Sequence, residues 1–250
     1  MRADIAARLQ HHRHRLWVVD PRNQRLSVFA EDFAVVADRT ISGQIFSAYP
    51  SIGGSTVLVS GFMQAGNAVR GVARIALDAQ ADVFGGAIQH HPNPRVQVHM
   101  VAAAPRGEVW TVAISGWSVN ILASTDLSLL EKRRLPGDEL AQEAPARLNV
   151  REERPVPQVS GIMAEATGPM WVTVGVADRE WAPSTSRDVD VQSVFDTRVL
   201  AIDPTDRAVV ATTQLDDFCL PVDGGRVSCV DEPAEAIRIV ELEVEPRGRR

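Results

Sequence analysis

Lysine is almost missing from this 250-residue chain: Lys132 is the single lysine among 26 basic residues, and the rest are arginine. That skew reads as a compositional bias more than as a functional signal. The net charge is -6, so no global basic field exists to attract a phosphate backbone, and nucleic-acid binding is disfavoured. No segment approaches eighteen consecutive apolar residues, which leaves no helical membrane span. The first ten residues carry Asp4 and Arg8 where a signal peptide needs an unbroken apolar stretch. As written, the chain shows no export signal. Catalytic signatures are missing too: there is no CxxC, HExxH or GxSxG.

Cysteine is also scarce. The two present, Cys219 and Cys229, lie symmetrically about Gly224. A hairpin centred there places them opposite each other, close enough either for a disulfide or for two buried thiols. A bridge would imply an oxidising compartment and, if an upstream leader is missing from this version, an exported or periplasmic protein.

What the sequence does contain is a repeat. The stretch from Val101 to Ile114 holds a turn ending at Gly107, then Trp110 in an apolar run; from Ile162 to Val174 the same order returns with Gly168 and Trp171. Both read as β-hairpins. Weaker copies follow Gly54 and Gly225, and a decayed one, His14-Arg-Leu-Trp-Val-Val19, carries Trp17. The anchors His14, Gly54, Gly107, Gly168 and Gly225 are 40, 53, 61 and 57 residues apart. Such spacing suits a four-stranded unit with its loops. The reading is all-β: one β-propeller domain over 1–250 with about five visible four-stranded blades, a β-sandwich being the alternative. The recurring tryptophans are expected as wedges between blades. The first unit lacks an evident innermost strand and the last an outermost one. Residues Ile5 to Leu9 could supply a strand to the last blade, but loss of a blade from a longer ring is the preferred explanation, with a five-bladed ring as the alternative.

The first unit, Leu16-Trp-Val-Val-Asp20, Asn23, Arg25-Leu-Ser-Val-Phe29 and Phe33 to Ile41, resembles an NHL-type repeat. Glu31-Asp32 stands where the family has a turn glycine. Through the weaker copies the chain resembles bacterial six-bladed β-propeller proteins, with an architecture like that of WD40 propellers. This resemblance implies either a binding scaffold or a calcium-assisted lactonase. For the latter, Glu165, Asn120 and Asp223 are the candidate metal-site residues.

Two stretches exceed ordinary connectors: 136–157, charged in both signs, and 178–196. In an antiparallel meander the loops between second and third strands and the links between blades emerge on one rim. Both insertions are of these kinds, so they share a face, which is the expected binding surface. Arg179, Trp181 and Arg187 are its candidate ligand-binding residues. His12, His14, His90 and His91 lack a matched second cluster and read as exposed histidines rather than metal ligands, and His99 as a hydrogen-bonded strand residue. Asp20 and Arg25 are expected to pair across a short turn. The tail at 246–250 is expected to fray. The expected function is a non-catalytic module for an unknown protein or small-molecule ligand, without a cofactor; calcium belongs to the hydrolase alternative.

Overall fold

The computed structural model describes residues 8–12, 15–50, 55–77, 81–87, 94–115, 117–135, 149, 152–165, 167–184, 192–222, 224–231 and 236–244. Arg8–His12 (β1), Arg15–Asp20 (β2), Arg25–Ala30 (β3) and Val35–Thr40 (β4) form blade one. Blade two is Gly43–Pro50 (β5), Thr56–Ala65 (β6), Ala68–Ala76 (β7) and Val83–Ala87 (β8). Blade three is His99–Ala104 (β9), Glu108–Ala113 (β10), Ser118–Ala123 (β11) and Leu129–Arg134 (β12). Blade four is Gln158–Ala164 (β13), Met170–Ala177 (β14), Phe195–Ile202 (β15) and Val209–Leu215 (β16). Blade five is Cys219–Pro221 (β17), Arg226–Asp231 (β18) and Ala236–Glu241 (β19), three strands among the described residues. All pairings are antiparallel between sequence neighbours, and the innermost strands β5, β9, β13 and β17 pack on one another in turn. The molecule is a five-bladed β-propeller.

Period-two alternation explains why sheets stack radially here and not as two layers. On β6, Val57 and Val59 join Trp17, Leu26 and Val28 of blade one, while Leu58 turns to Val101, Val109 and Leu122 of blade three. Blade three sends Trp110, Val112 and Ile121 the other way, against Ile162, Val172 and Ile202 of blade four. Blade four then covers Cys219, Val227 and Cys229 with Met163, Trp171 and Val199. Both faces of a middle blade are therefore apolar, and each is buried by a neighbouring blade. The sandwich alternative fails on this arrangement.

Trp17, Trp110 and Trp171 sit on the second strand of their blades, 1%, 1% and 4% exposed, each facing the following blade. Two of the indoles donate to a glutamate of their own hairpin: Trp110 Nε1 to Glu108 at 3.0 Å and Trp171 Nε1 to Glu165 at 2.7 Å. Blade one has Arg15 where blade three has Glu108, and Trp17 Nε1 finds no acceptor among the described residues. The repeated turn glycines have two distinct causes. Gly107 and Gly225 take φ of 72° and 77°, a conformation suited to glycine, whereas a Cβ on Gly168 would collide with Glu165 at 2.2 Å.

Arginine, the over-used cation, ties the blades together on the rim of the hairpin turns. Arg39 of blade one reaches Asp82 of blade two at 2.8 and 2.9 Å, and also the Ala76 carbonyl. Arg74 of blade two donates to the carbonyls of Ser124 and Thr125 in the β11–β12 turn. Arg133 of blade three donates to the Asp206 carbonyl in the β15–β16 turn at 3.1 Å, and Arg207 returns from that turn to Glu108 and Glu131. A planar fork with five donors suits such two-point contacts better than an ammonium.

Several local expectations change. The first unit does not lack an innermost strand: Arg8–His12 pairs with β2 as the innermost strand of blade one. Asp20 does not pair with Arg25. It accepts from the backbone of Arg22 and Asn23 and from the Asn23 side chain, while Arg25 pairs with Asp38 across β3 and β4. An Asx-type turn claims the aspartate before the arginine can. The second insertion is shorter than 178–196, since Phe195 and Asp196 already belong to β15. The chain from 136 to 148, Arg187, the side chains of His12 and His14, His90, His91, Asp223 and the tail at 246–250 lie outside the described residues.

Candidate functional site

Strand direction divides the loops between two rims. One rim carries the hairpin turns that open and close each blade, such as Pro105–Gly107 and the Asp203 to Ala208 turn. The other carries the β14–β15 loop and the β12–β13 link, the two long insertions. At the base of the β14–β15 loop, Asp178 N donates to the Val194 carbonyl at 3.0 Å, and the Trp181 amide donates to the Asp178 carbonyl at 3.2 Å. Arg154, from the β12–β13 link, donates to the same Asp178 carbonyl at 3.4 Å. The two insertions therefore meet.

Trp181 is half-buried against Val194, Phe195 and Phe218, and the two phenylalanine rings lie 6.4 Å apart. It is thus seated on its own loop, with part of the ring on the surface. Arg179 lies 3.8 Å from Asp216, both side chains largely exposed. The structure brings Arg179 and Trp181 to one rim.

Sequence reading missed Asp196 beneath this loop. It is 3% exposed, accepts from Gln214 Nε2 at 2.9 Å and receives the Arg179 backbone amide. Burial pushes its pKa above the usual carboxylate value; the Gln214 hydrogen bond opposes this, and the Asp178 and Asp216 charges add to it. In the sequence it is the last residue of the 178–196 insertion. Its only sequence signal was position beside Phe195 and Thr197 at the start of an apolar alternation.

Toward the other rim stands Tyr49, the protein's one tyrosine, half-buried at the end of its strand. From the end of β5 it passes blade three to reach the end of β13, donating to the Ala164 carbonyl at 3.2 Å and accepting from the Ala164 amide at 3.4 Å. Its ring touches the apolar clusters of three successive interfaces. Nearer the insertion rim, at the start of β9, His99 is largely buried with Nδ1 unpartnered among the described residues. Burial, helped by the nearby Lys132 charge, lowers its pKa to about 4, so it is neutral at pH 7.

Of the candidate hydrolase residues, Glu165 and Asn120 are described, and each is engaged in a different blade. Glu165 is on the hairpin-turn rim, holding Trp171 and lying against Gly225 of blade five. Asn120 lies within blade three and donates to Thr111 at 3.4 Å. Among the described residues no group of three or more His, Cys, Asp or Glu side chains is placed to hold a metal ion. Cys219 and Cys229 lie directly opposite on β17 and β18 and are joined as a disulfide, S–S 2.04 Å. A groove of about 470 Å³ runs between blades three and four over Trp110, Ile121, Leu135 and Ile202, edged by Arg133 and Arg207. Both arginines are already held by Glu131. No helix among the described residues is long and apolar enough to cross a membrane.

No protein-family model and no curated protein matches the chain. Solved structures do match it in shape. A DUF4221 family member from Bacteroides vulgatus superposes with a TM-score of 0.57 at 8% identity, over 91% of this chain and 76% of its own. KlAtg21, solved in complex with the coiled coil of AgAtg16, gives 0.52 at 12% identity over 96% and 68%. Hydrazine synthase from Kuenenia stuttgartiensis gives 0.50 at 11% identity over 92% and 62%, so this chain spans less than two thirds of that one. At such identities what this chain shares with all three is the β-propeller fold.

Proposed function

We propose that this protein is a non-catalytic binding scaffold whose ligand, a protein or a small molecule, sits on the insertion rim. One observation carries the reading: the two long loops meet there through Arg154 and Asp178. Rigid blades presenting irregular loops are a common basis for recognition. Arg179 and the exposed part of Trp181 are the contacts offered, with Arg187 as a third. The NHL-like match of blade one supports kinship with six-bladed propellers. The Cys219–Cys229 bridge supports an oxidising compartment as the place of work.

The competing reading is a calcium-assisted hydrolase using Glu165, Asn120 and Asp223. Thermal unfolding with calcium and with chelator separates the two, because a ligand that binds only the folded chain raises its melting temperature. A scaffold is expected to give superimposable curves; a calcium-dependent rise would favour the hydrolase. Cross-linked captures by the wild type and by a variant with the β14–β15 loop cut to a short turn then test the rim itself. A capture unchanged by the shortening refutes this placement.

A further inference from the structure

Blades three and four enter their fourth strands by the same turn, and the residue that this turn carries to the preceding blade differs. Leu127 and Arg207 both take a left-handed φ, 56° and 63°. Each donates its amide four residues back, to the Ala123 carbonyl at 2.9 Å and to the Asp203 carbonyl at 2.8 Å. In blade three the turn delivers Leu127, 1% exposed, into the apolar seam with Leu58 and Val72 of blade two. Gly85 of blade two leaves it room, since a Cβ there would stand 2.3 Å from that of Leu127. In blade four the same position is an arginine. The seam with blade three stays open there as the groove of about 470 Å³ over Trp110, Ile121, Leu135 and Ile202. Among the described residues three arginines line it, Arg133, Arg134 and Arg207, and no carboxylate does.

Two of these guanidiniums keep donors to spare. Arg207 gives its terminal nitrogens to Glu131 and Glu108, while its buried Nε has no acceptor among the described residues. Arg133 meets Glu131 through Nε at 2.9 Å and the Asp206 carbonyl at 3.1 Å. Register makes Arg39 of blade one its counterpart, the two lying opposite Leu26 and Val119 of their third strands. Arg39 receives both oxygens of a carboxylate from the following blade, Asp82, at 2.8 and 2.9 Å. Arg133 receives only a backbone oxygen from the following blade, because Asp206 turns its own carboxylate to the Ala208 amide at 2.8 Å.

We propose that this groove is a second binding site, separate from the insertion rim, for a small aromatic carboxylate, with the ring in the apolar seam and the carboxylate between Arg133 and Arg207. The carboxylate does for Arg133 and Arg207 what Asp82 does for Arg39. A planar guanidinium fork matches two carboxylate oxygens and stacks on flat rings. A buried donor without an acceptor is unfavourable, so an acceptor offered there counts for more than one at the surface. The volume falls in the range that takes a small organic ligand. A cation is excluded by the arginines, and a multiply charged anion by the apolar seam, which cannot replace its water. A protein surface does not reach the floor, where Trp110, Ile121 and Ile202 are each 1% exposed.

Isothermal titration calorimetry of the full chain with naphthoate, and with neutral naphthamide of the same shape, tests this. Naphthoate is expected to bind at a single site, and naphthamide about ten- to a hundred-fold more weakly, the cost of losing hydrogen bonds to a charged group. Arg207→Leu copies the plug that Leu127 makes in blade three and should abolish binding. Ala208→Trp blocks the groove from an exposed position on its edge and should abolish binding with an unchanged melting temperature. It decides the matter should Arg207→Leu fail to fold. Arg238→Gln, which removes an exposed guanidinium of blade five, should bind as the wild type does. No saturable heat with naphthoate up to about 2 mM overturns the proposal. Equal binding of naphthamide, binding that survives in Ala208→Trp, or loss of binding in Arg238→Gln overturns it as well.

Discussion

Two buried ionisable side chains act on stability in opposite directions. His99 has a folded pKa of about 4, below its unfolded 6.5. The unfolded chain therefore gains a proton first on acidification, and stability is lost as pH falls from 6.5 toward 4. His99→Asn should flatten that loss, by on the order of 3 kcal/mol at most, in urea titrations repeated across pH. Asp196 has the reverse sign. Its folded pKa is raised, so stability falls as pH rises through the window above 3.8 and stays reduced at neutrality. Asp196→Asn keeps an acceptor for Gln214 and should be more stable than wild type at pH 7, the gain vanishing below pH 3.8. Tyr49→Phe removes the hydroxyl that serves both backbone groups of Ala164. It should cost about 1 to 2 kcal/mol by the same measurement.

At the scale of the element, the hairpin and the inter-blade clamp are the units that matter. The Cys219–Cys229 bridge closes a ten-residue separation at the start of the last blade. Replacing both cysteines by serine should cost about 2 to 3 kcal/mol, and dithiothreitol should lower the wild-type midpoint but not that of the variant. Arg207 leaves its turn with φ of 63° and holds two carboxylates of the neighbouring blade. Arg207→Met removes the cation shared by Glu108 and Glu131 and leaves Glu131 only Arg133; a loss of about 1 to 3 kcal/mol is expected, partly recovered in Arg207→Met/Glu131→Gln. Strand positions were legible in the sequence because alternation and turn residues act locally. In blade three the hairpin read over Val101 to Ile114 is found as β9 and β10, joined by the turn at Pro105–Gly107. The Asp20–Arg25 pairing was not legible: which of several polar partners an aspartate takes depends on turn geometry and on Asp38 from another strand.

For the whole molecule, stability resides in the interfaces between blades. Trp110→Ala, at the centre of the largest cluster, should cost about 3 to 5 kcal/mol in equilibrium unfolding, whereas Trp181→Ala, half-buried on the loop, should cost visibly less while disabling the insertion rim. The repeat of glycine and tryptophan was enough to reveal a ring of similar units. The candidate site was only partly legible. Arg179 and Trp181 were visible as large or charged residues in a long loop, but Asp196 was not, because its character comes from burial beneath residues far from it in sequence. The role of arginine was also hidden: composition showed an excess, and only folding put Arg39, Arg74, Arg133 and Arg207 across blade boundaries. The sequence by itself determined the strands, their alternation and the order of the hairpins, since these follow from near neighbours along the chain. Tertiary structure alone decided that Tyr49 reaches from blade two to Ala164 of blade four and that Arg154 joins the two long loops. Those outcomes depend on contacts between residues tens of positions apart, whose meeting no local pattern specifies.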